Sequence, residues 1–410
     1  MATAKAARPY LSEVDPIRSI TAISVVGVHA LAYAMFLNTS TWGGEIQNGA
    51  VTALHFTREI FLTITAFVLV YGYFGKPFKA KTFWRKRGLG VLLPYVIWSI
   101  FYAWVNRPHT PFGLWVGAAL TDTLTGYASY QLYFIMLTLE FYLFLPVLLW
   151  FLGRYGHHPW RILGISCIIQ IITMYLDYHY VQVGPFSTTG FSQFVNLYQW
   201  RLLPFYQFYV LLGAVGALYI EQVRAFVLRH GRMIVAGFAA GLGLLWVRYL
   251  MQIWPDPNQQ GYAISVFQPT VVVYSLSLVV FAYWFAYRWS SRKTPTGKPR
   301  GFRFWRLLSD ASFGIYLVQP IFINLLVIPL IVPLFPTAWP VVLQVALVWF
   351  LSAAGSVGMS VLFLYVPGLS RLVGRPVAHS IQLRSLQWPA AIQNLARGQR
   401  PALTATRTKE

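Results

Sequence analysis

The stretch QLYFIMLTLEFYLFLPVLLW, residues 131–150, carries one charged side chain, Glu140, in twenty residues. Twenty residues wound as a helix at about 1.5 Å each reach about 30 Å, the thickness of a bilayer's hydrocarbon core. The run is therefore read as a membrane span. Composition extends that reading to the whole chain, which has 410 residues, is 57% apolar, has a mean hydropathy of +0.55 and carries 10% charged residues. Ordinary soluble domains carry about 25%. The expected fold is all-α: a polytopic membrane protein. Its one cysteine, Cys167, excludes a disulfide framework and a cysteine-rich metal site.

Working outward from 131–150, apolar runs of spanning length fall near residues 16–37, 56–75, 88–105, 130–152, 160–180, 201–220, 233–254, 268–289, 310–333 and 338–364. The N-terminal stretch MATAKAARPYLSEVDP is polar, and the run after it is expected to be a full span and not a cleaved signal. Ten spans alternate the loops cleanly: 28 of the 32 Lys and Arg fall on one side, the exceptions being Arg58, Arg107, Arg201 and Arg248. By the positive-inside rule both termini are expected in the cytoplasm and the protein in the cell membrane as a multi-pass species. The domain reading is a short N-terminus over 1–15, a ten-helix membrane domain over 16–366, and a basic tail over 367–410. The first part of the tail is expected to lie on the membrane and the rest to be disordered. Any chemistry is expected within the bundle.

The net charge of +21 would suggest nucleic acid in a soluble protein. Here the placement of the charge explains it, and no nucleic-acid partner is expected; the partners expected of the bundle itself are membrane lipids. The loops 76–87 and 288–306 hold thirteen positive charges, which serve as topology determinants or attract a polyanion.

Ionisable residues within spans are functional candidates: His29, Arg58, Glu59, Glu140, Asp177, Arg248 and Asp310. Each has a plain alternative. Arg58 and Glu59 read as an interfacial charge pair, Asp177 and Arg248 as interfacial, and Asp310 as an acid complementing a helix start. Glu140, nearly central in its span, reads as a carboxyl hydrogen-bonded to a neighbouring helix. His157-His158 lacks a third ligand, so no metal is expected.

The first span, RSITAISVVGVHA over 18–30, is apolar except at its ends. Arg18 and His29 are eleven positions apart. At about 100° each this brings them to one face, about 16 Å apart, with His29 near the midplane if Arg18 is interfacial. Alone, Arg18 is an anchor and His29 a satisfied buried histidine. As a pair they suit group transfer: an arginine fork grips phosphate, and an imidazole takes a proton from a hydroxyl.

This R-x10-H pattern resembles the signature of the acyltransferase-3 family of integral membrane acyltransferases, bacterial stand-alone type. Four further blocks are similar in order: FLTITAFVLVYGYF (61–74), FWRKRGLGVLLPYVIWSIFY (83–102), YQLYFIMLTLEFYLFLPVL (130–148) and SDASFGIYLVQPIF (309–322). Together they cover 15–366. The chain departs from the pattern at Thr65-Ala66, Gly90 and Gln319, the last in place of a histidine. Gln cannot titrate, which removes a proton-relay role there. The resemblance implies transfer of an acyl group, most often acetyl, from cytoplasmic acyl-CoA to a hydroxyl of an extracytoplasmic or lipid-linked glycan. It implies donor binding by Arg18, Arg85, Arg87 and Tyr316, and His29 as base or acyl carrier. Glu140 is the candidate to orient His29. No tightly bound cofactor is implied. Gln193, Asn196 and Gln199 are weaker candidates for a sugar at the outer mouth. The competing reading is a carrier of a glycan or acylated lipid without chemistry of its own.

Overall fold

The structure, a computed structural model, describes residues 8–34, 42–184, 186–254, 263–295, 297–336 and 339–375. Its helices are α1 Val14–Ala34, α2 Trp42–Leu54, α3 Thr57–Tyr73, α4 Ala80–Arg87, α5 Leu93–Asn106, α6 Phe112–Thr125, α7 Tyr133–Tyr155 and α8 Pro159–Leu176. They continue as α9 Gly190–Tyr198, α10 Gln207–Leu218, α11 Ile220–Arg229, α12 Gly231–Ile253, α13 Pro269–Ser291, α14 Phe302–Pro320 and α15 Val341–Tyr365. No β-strand occurs among the described residues; one isolated bridge joins Lys293 and Pro299. Nine helical runs among them are long and apolar enough to cross a membrane. A tenth, Gly190–Arg201 with Leu203–Leu218, is bent by 59°. The protein is thus an all-α, multi-pass membrane protein.

The expected sixth span is the bent one. Leu202 is extended (φ −94°, ψ 123°) and Pro204 follows, so the first helix stops and a new turn, Leu203–Tyr206, leads into α10. A break inside the bundle leaves backbone N–H groups without partners. Glu140 Oε2 accepts one of them, Leu203 N–H, at 2.8 Å. α10 then runs tightly along α3: a Cβ at Gly213 would lie 2.0 Å from the Thr63 carbonyl, so only glycine permits that approach.

Two prolines inside helices free carbonyls that side chains recover. Pro146 cannot donate to the Tyr142 carbonyl, and Trp84 Nε1 donates to it instead at 3.3 Å. This docks α4 on α7. Pro320 cannot donate to the Tyr316 carbonyl, and Gln319 Nε2 lies 3.4 Å from it. Beyond Pro320 the helix widens to π geometry over Ile321–Ile331.

α1 lies at the centre of the bundle. It packs on α2, α3, α14 and α15, and 78% of its spanning window is buried, against 22% for Pro159–Gln182. Among the described residues, five helices lie outside the ten expected spans, or share one residue with them: α2, ahead of the second span, α4, α6, which packs on α5, α9 and α11. The first part of the basic tail also differs from a surface-lying segment. Leu369–Val373 forms a short 3-10 helix with Ser370 and Val373 buried in the bundle. The remainder, 376–410, lies outside the described residues.

Candidate active site

Arg18 and His29 occupy one face of α1 as expected, and both are half-buried. They gather different company. The two groups are called here the arginine end and the histidine end.

At the arginine end, Asp15 opens α1 and accepts the Tyr10 hydroxyl at 2.8 Å. Burial and that carboxylate hold the Tyr10 phenol well above the usual range. Ser309 of α14 lies near Asp15, and Ser19 Oγ donates to the Trp305 carbonyl at 3.2 Å, fastening α1 to α14. Arg18, one turn after Asp15, makes no hydrogen bond or ion pair with the described residues. Its charge is felt by Arg375, Asp15 and Tyr142. Arg87 stacks its guanidinium over Phe83 at 5.4 Å and Tyr142 at 5.1 Å, and its Nε is buried without a partner. Arg85 points elsewhere. Two positions are about 200° on a helix, and Arg85 is exposed where Arg87 faces inward. Of the expected donor-binding residues, Arg18 and Arg87 share Tyr142 as a neighbour, whereas Arg85 is exposed.

Tyr316 belongs to the other end. It is buried, its hydroxyl donates to the Gln131 carbonyl, and its ring packs on Phe134 at 6.2 Å. It fixes the turn that enters α7, and is not placed beside Arg18.

At the histidine end, His29 stacks against Tyr130, ring centroids 4.3 Å apart and 49° between planes. The Tyr130 hydroxyl lies near Asn324 of the π-helical stretch. His29 stands fifteen residues into the twenty-one of α1, about 22 Å from its start. It is therefore past the middle of the helix, eleven positions beyond Arg18. Arg58 lies close enough for its charge to act on His29 and on His55.

Arg58 and Glu59 are not a snorkelled interfacial pair. They are 6% and 3% exposed and form no ion pair with each other. Arg58 sits over Trp200 at 4.8 Å, donates to the Tyr206 hydroxyl at 3.3 Å and lies near Tyr133. Arg58 Nη2, Glu59 Oε2 and His55 Nδ1 are buried without partners among the described residues. Tyr130, Tyr133 and Trp200 also line a cavity of about 470 Å³ with Tyr127, Asn196 and Arg201. Of the amides expected at this mouth, Asn196 lines the cavity, Gln193 is exposed and Gln199 is buried.

Glu140 is directed to the Leu203 N–H, and no contact with His29 accompanies that bond. The hydrogen-bonded reading of this carboxyl is the one its partner fits. Asp177 is buried and accepts from Gln182 at 2.5 Å; Arg248 lies over the Tyr178 ring at 5.5 Å. Asp310 stands well inside α14, so it does not complement a helix start; it pairs with Arg375. His157 and His158 pack ring to ring at 4.0 Å, and no three His, Cys, Asp or Glu side chains group to hold a metal among the described residues. His55, Tyr130 and Arg375 were not singled out by the sequence reading. For His55 a signal existed: His55 and Arg58 are three apart in HFTRE, one face of a helix.

The fold defines the class, a polytopic membrane protein, and its central helix carries Arg18 toward one end and His29, packed on Tyr130 beside an aromatic cavity, toward the other. The chain belongs to the acyltransferase-3 family: the model described as an acyltransferase domain matches residues 11–365. It is a membrane acyltransferase. No curated protein and no solved structure was found to match the chain.

Proposed function

We propose that the protein moves an acyl group, acetyl in the first place, from acyl-CoA to a hydroxyl of a glycan or lipid-linked sugar. The observation that carries this is the shared face of α1. Arg18 is half-buried, with no hydrogen-bond or ion-pair partner among the described residues, at one end, and His29 stands beside an aromatic cavity about 16 Å along the axis. A cation held without a counter-ion in a partly buried place favours an anionic ligand. The phosphates of CoA supply one, and Arg87, stacked on Tyr142, supplies a second fork. The pantetheine arm then extends along α1 and brings the thioester toward His29.

In the direct form of the reaction, the His29 imidazole accepts the proton of the acceptor hydroxyl. The hydroxyl oxygen attacks the thioester carbonyl, the carbon–sulfur bond breaks, and CoA leaves as the thiol after taking a proton. In the alternative form the imidazole carries the acyl group between the two steps; both leave the same products. Tyr127, Tyr130 and Trp200 give a sugar flat faces to stack on, and Asn196 and Arg201 give it hydrogen-bonding groups. In this reading the arginine end faces the cytoplasm of the cell membrane and the cavity the outside, which the positive-inside distribution supports.

The test is release of free CoA thiol from acetyl-CoA by purified protein in nanodiscs, supplied with an envelope glycan extract, together with mass spectrometry of the acylated acceptor. Thiol release with matching acylation supports the reading. Intact acetyl-CoA alongside glycan movement across the bilayer would establish a carrier instead.

A further inference from the structure

The chain beyond the family-matched residues does not simply leave the membrane domain. After α15 it turns at Gly368 (φ 91°), forms the helix Leu369–Val373, and turns again at Gly374 (φ 72°) to end at Arg375 among the described residues. Three contacts lock this hook. Trp98 Nε1 donates to the Leu372 carbonyl at 2.9 Å. The Arg375 N–H donates to the Ser370 carbonyl at 2.9 Å. Gly374 lies so near the Gly90 carbonyl that a Cβ at 374 would be 2.2 Å from it. Gly90 sits in the π-helical turn Gly88–Leu92, directly after Arg87.

The hook therefore delivers Arg375 to the arginine end. Its guanidinium pairs with Asp310, the neighbour of the Ser309 that lies near Asp15, which is one turn from Arg18. Arg18, Arg87 and Arg375 come from three separate parts of the sequence and are linked at one end of the bundle, Arg18 lying within reach of Arg375's charge and sharing Tyr142 with Arg87. Arg375 alone of the three has a carboxylate. Arg18 and Arg375 repel each other through partly buried surroundings, where screening is weak. A ligand with several negative charges would relieve that repulsion.

We infer that the hook 366–375 is part of the donor site and that Arg375 is a third phosphate-binding residue, released from Asp310 when the donor enters. This rests on the proposed function, which supplies the donor. CoA carries a diphosphate and a separate ribose phosphate, so three arginines have three anionic groups to meet.

The test measures binding of acetyl-CoA and of phosphate-free S-acetylpantetheine to purified full-length protein in nanodiscs. Arg375→Gln should weaken acetyl-CoA binding roughly tenfold, the scale of one charge-assisted hydrogen bond, and leave S-acetylpantetheine binding unchanged. Asp310→Asn, which frees Arg375 while removing the same ion pair, should tighten acetyl-CoA binding. A purely structural ion pair makes both variants alike and affects both donors equally; that result overturns the inference, as does unchanged acetyl-CoA binding in Arg375→Gln. Wild-type protein that binds no acetyl-CoA would instead overturn the functional reading on which the inference stands.

Discussion

The imidazole of His29 and the phenol ring of Tyr130 lie with their centroids 4.3 Å apart and their planes tilted by 49°. Tyr130 thus sets the wall against which the histidine rests. Tyr130→Phe keeps that wall and should stay within a few-fold of wild-type turnover. Tyr130→Ala removes it and should lower turnover roughly a hundredfold, the cost of a misplaced reacting group. Equal activity of the two variants would show that the stacking does not orient His29.

His29→Gln keeps a hydrogen-bonding side chain of similar size and loses only the ability to take a proton. Acyl transfer should fall by about a hundred- to ten-thousand-fold, with membrane insertion intact because the rest of the span is apolar. Thiol release with acetyl-CoA is the readout. Most of the wild-type rate surviving would make His29 a packing residue.

Glu140 is expected to act on stability. Glu140→Gln retains an oxygen for the Leu203 N–H and should melt near wild type. Glu140→Ala leaves that N–H unpaired at the break of the sixth span and should cost about 1–3 kcal/mol. A Glu140→Gln protein that melts normally yet transfers nothing would return the residue to the chemistry.

Arg18 and Arg85 should separate in donor binding. Arg18→Ala should weaken acetyl-CoA binding roughly tenfold or more, whereas exposed Arg85 should contribute less than threefold, as solvated charges do. Raising salt should erode the Arg85 contribution first. Equal losses would mean that both act only through a general field.

Topology gives an independent check. Reporter fusions at Lys81 and Lys298 should face the cytoplasm, and fusions at Thr121 and Gly190 the outside. A mixed pattern would detach the arginine end from the CoA pool.

The ten-span arrangement was legible because a bilayer-length apolar run is a signal carried by consecutive residues. The Arg18–His29 face was legible for a similar reason: one helix's geometry relates them. Contacts between distant segments left no such mark. Nothing in QLYFIMLTLEFYLF says that Glu140 meets the Leu203 N–H, and Pro204 marks the break only once Leu202 is seen to be extended. Tyr316 was matched by its block, yet its hydroxyl finds Gln131, 185 residues away in sequence. α2 is thirteen residues long, too short for a spanning signal. The hook at 366–375 reads as polar tail by composition, and its burial rests on glycine contacts that composition does not record.

α1 carries both ends of the site on one continuous helix, so it acts as a ruler. Deleting one residue between Arg18 and His29 would turn one by about 100° relative to the other; removing seven would nearly restore the facing but shorten the gap by about 10 Å. On the proposed reading, the ruler measures the part of the donor between phosphate and thioester, which is the same in every acyl-CoA. Acyl-chain choice must then be made beyond the mark at His29, by the depth of the room around Tyr130 and Tyr133. Mutations there should change which chain is transferred without changing how tightly CoA itself is held.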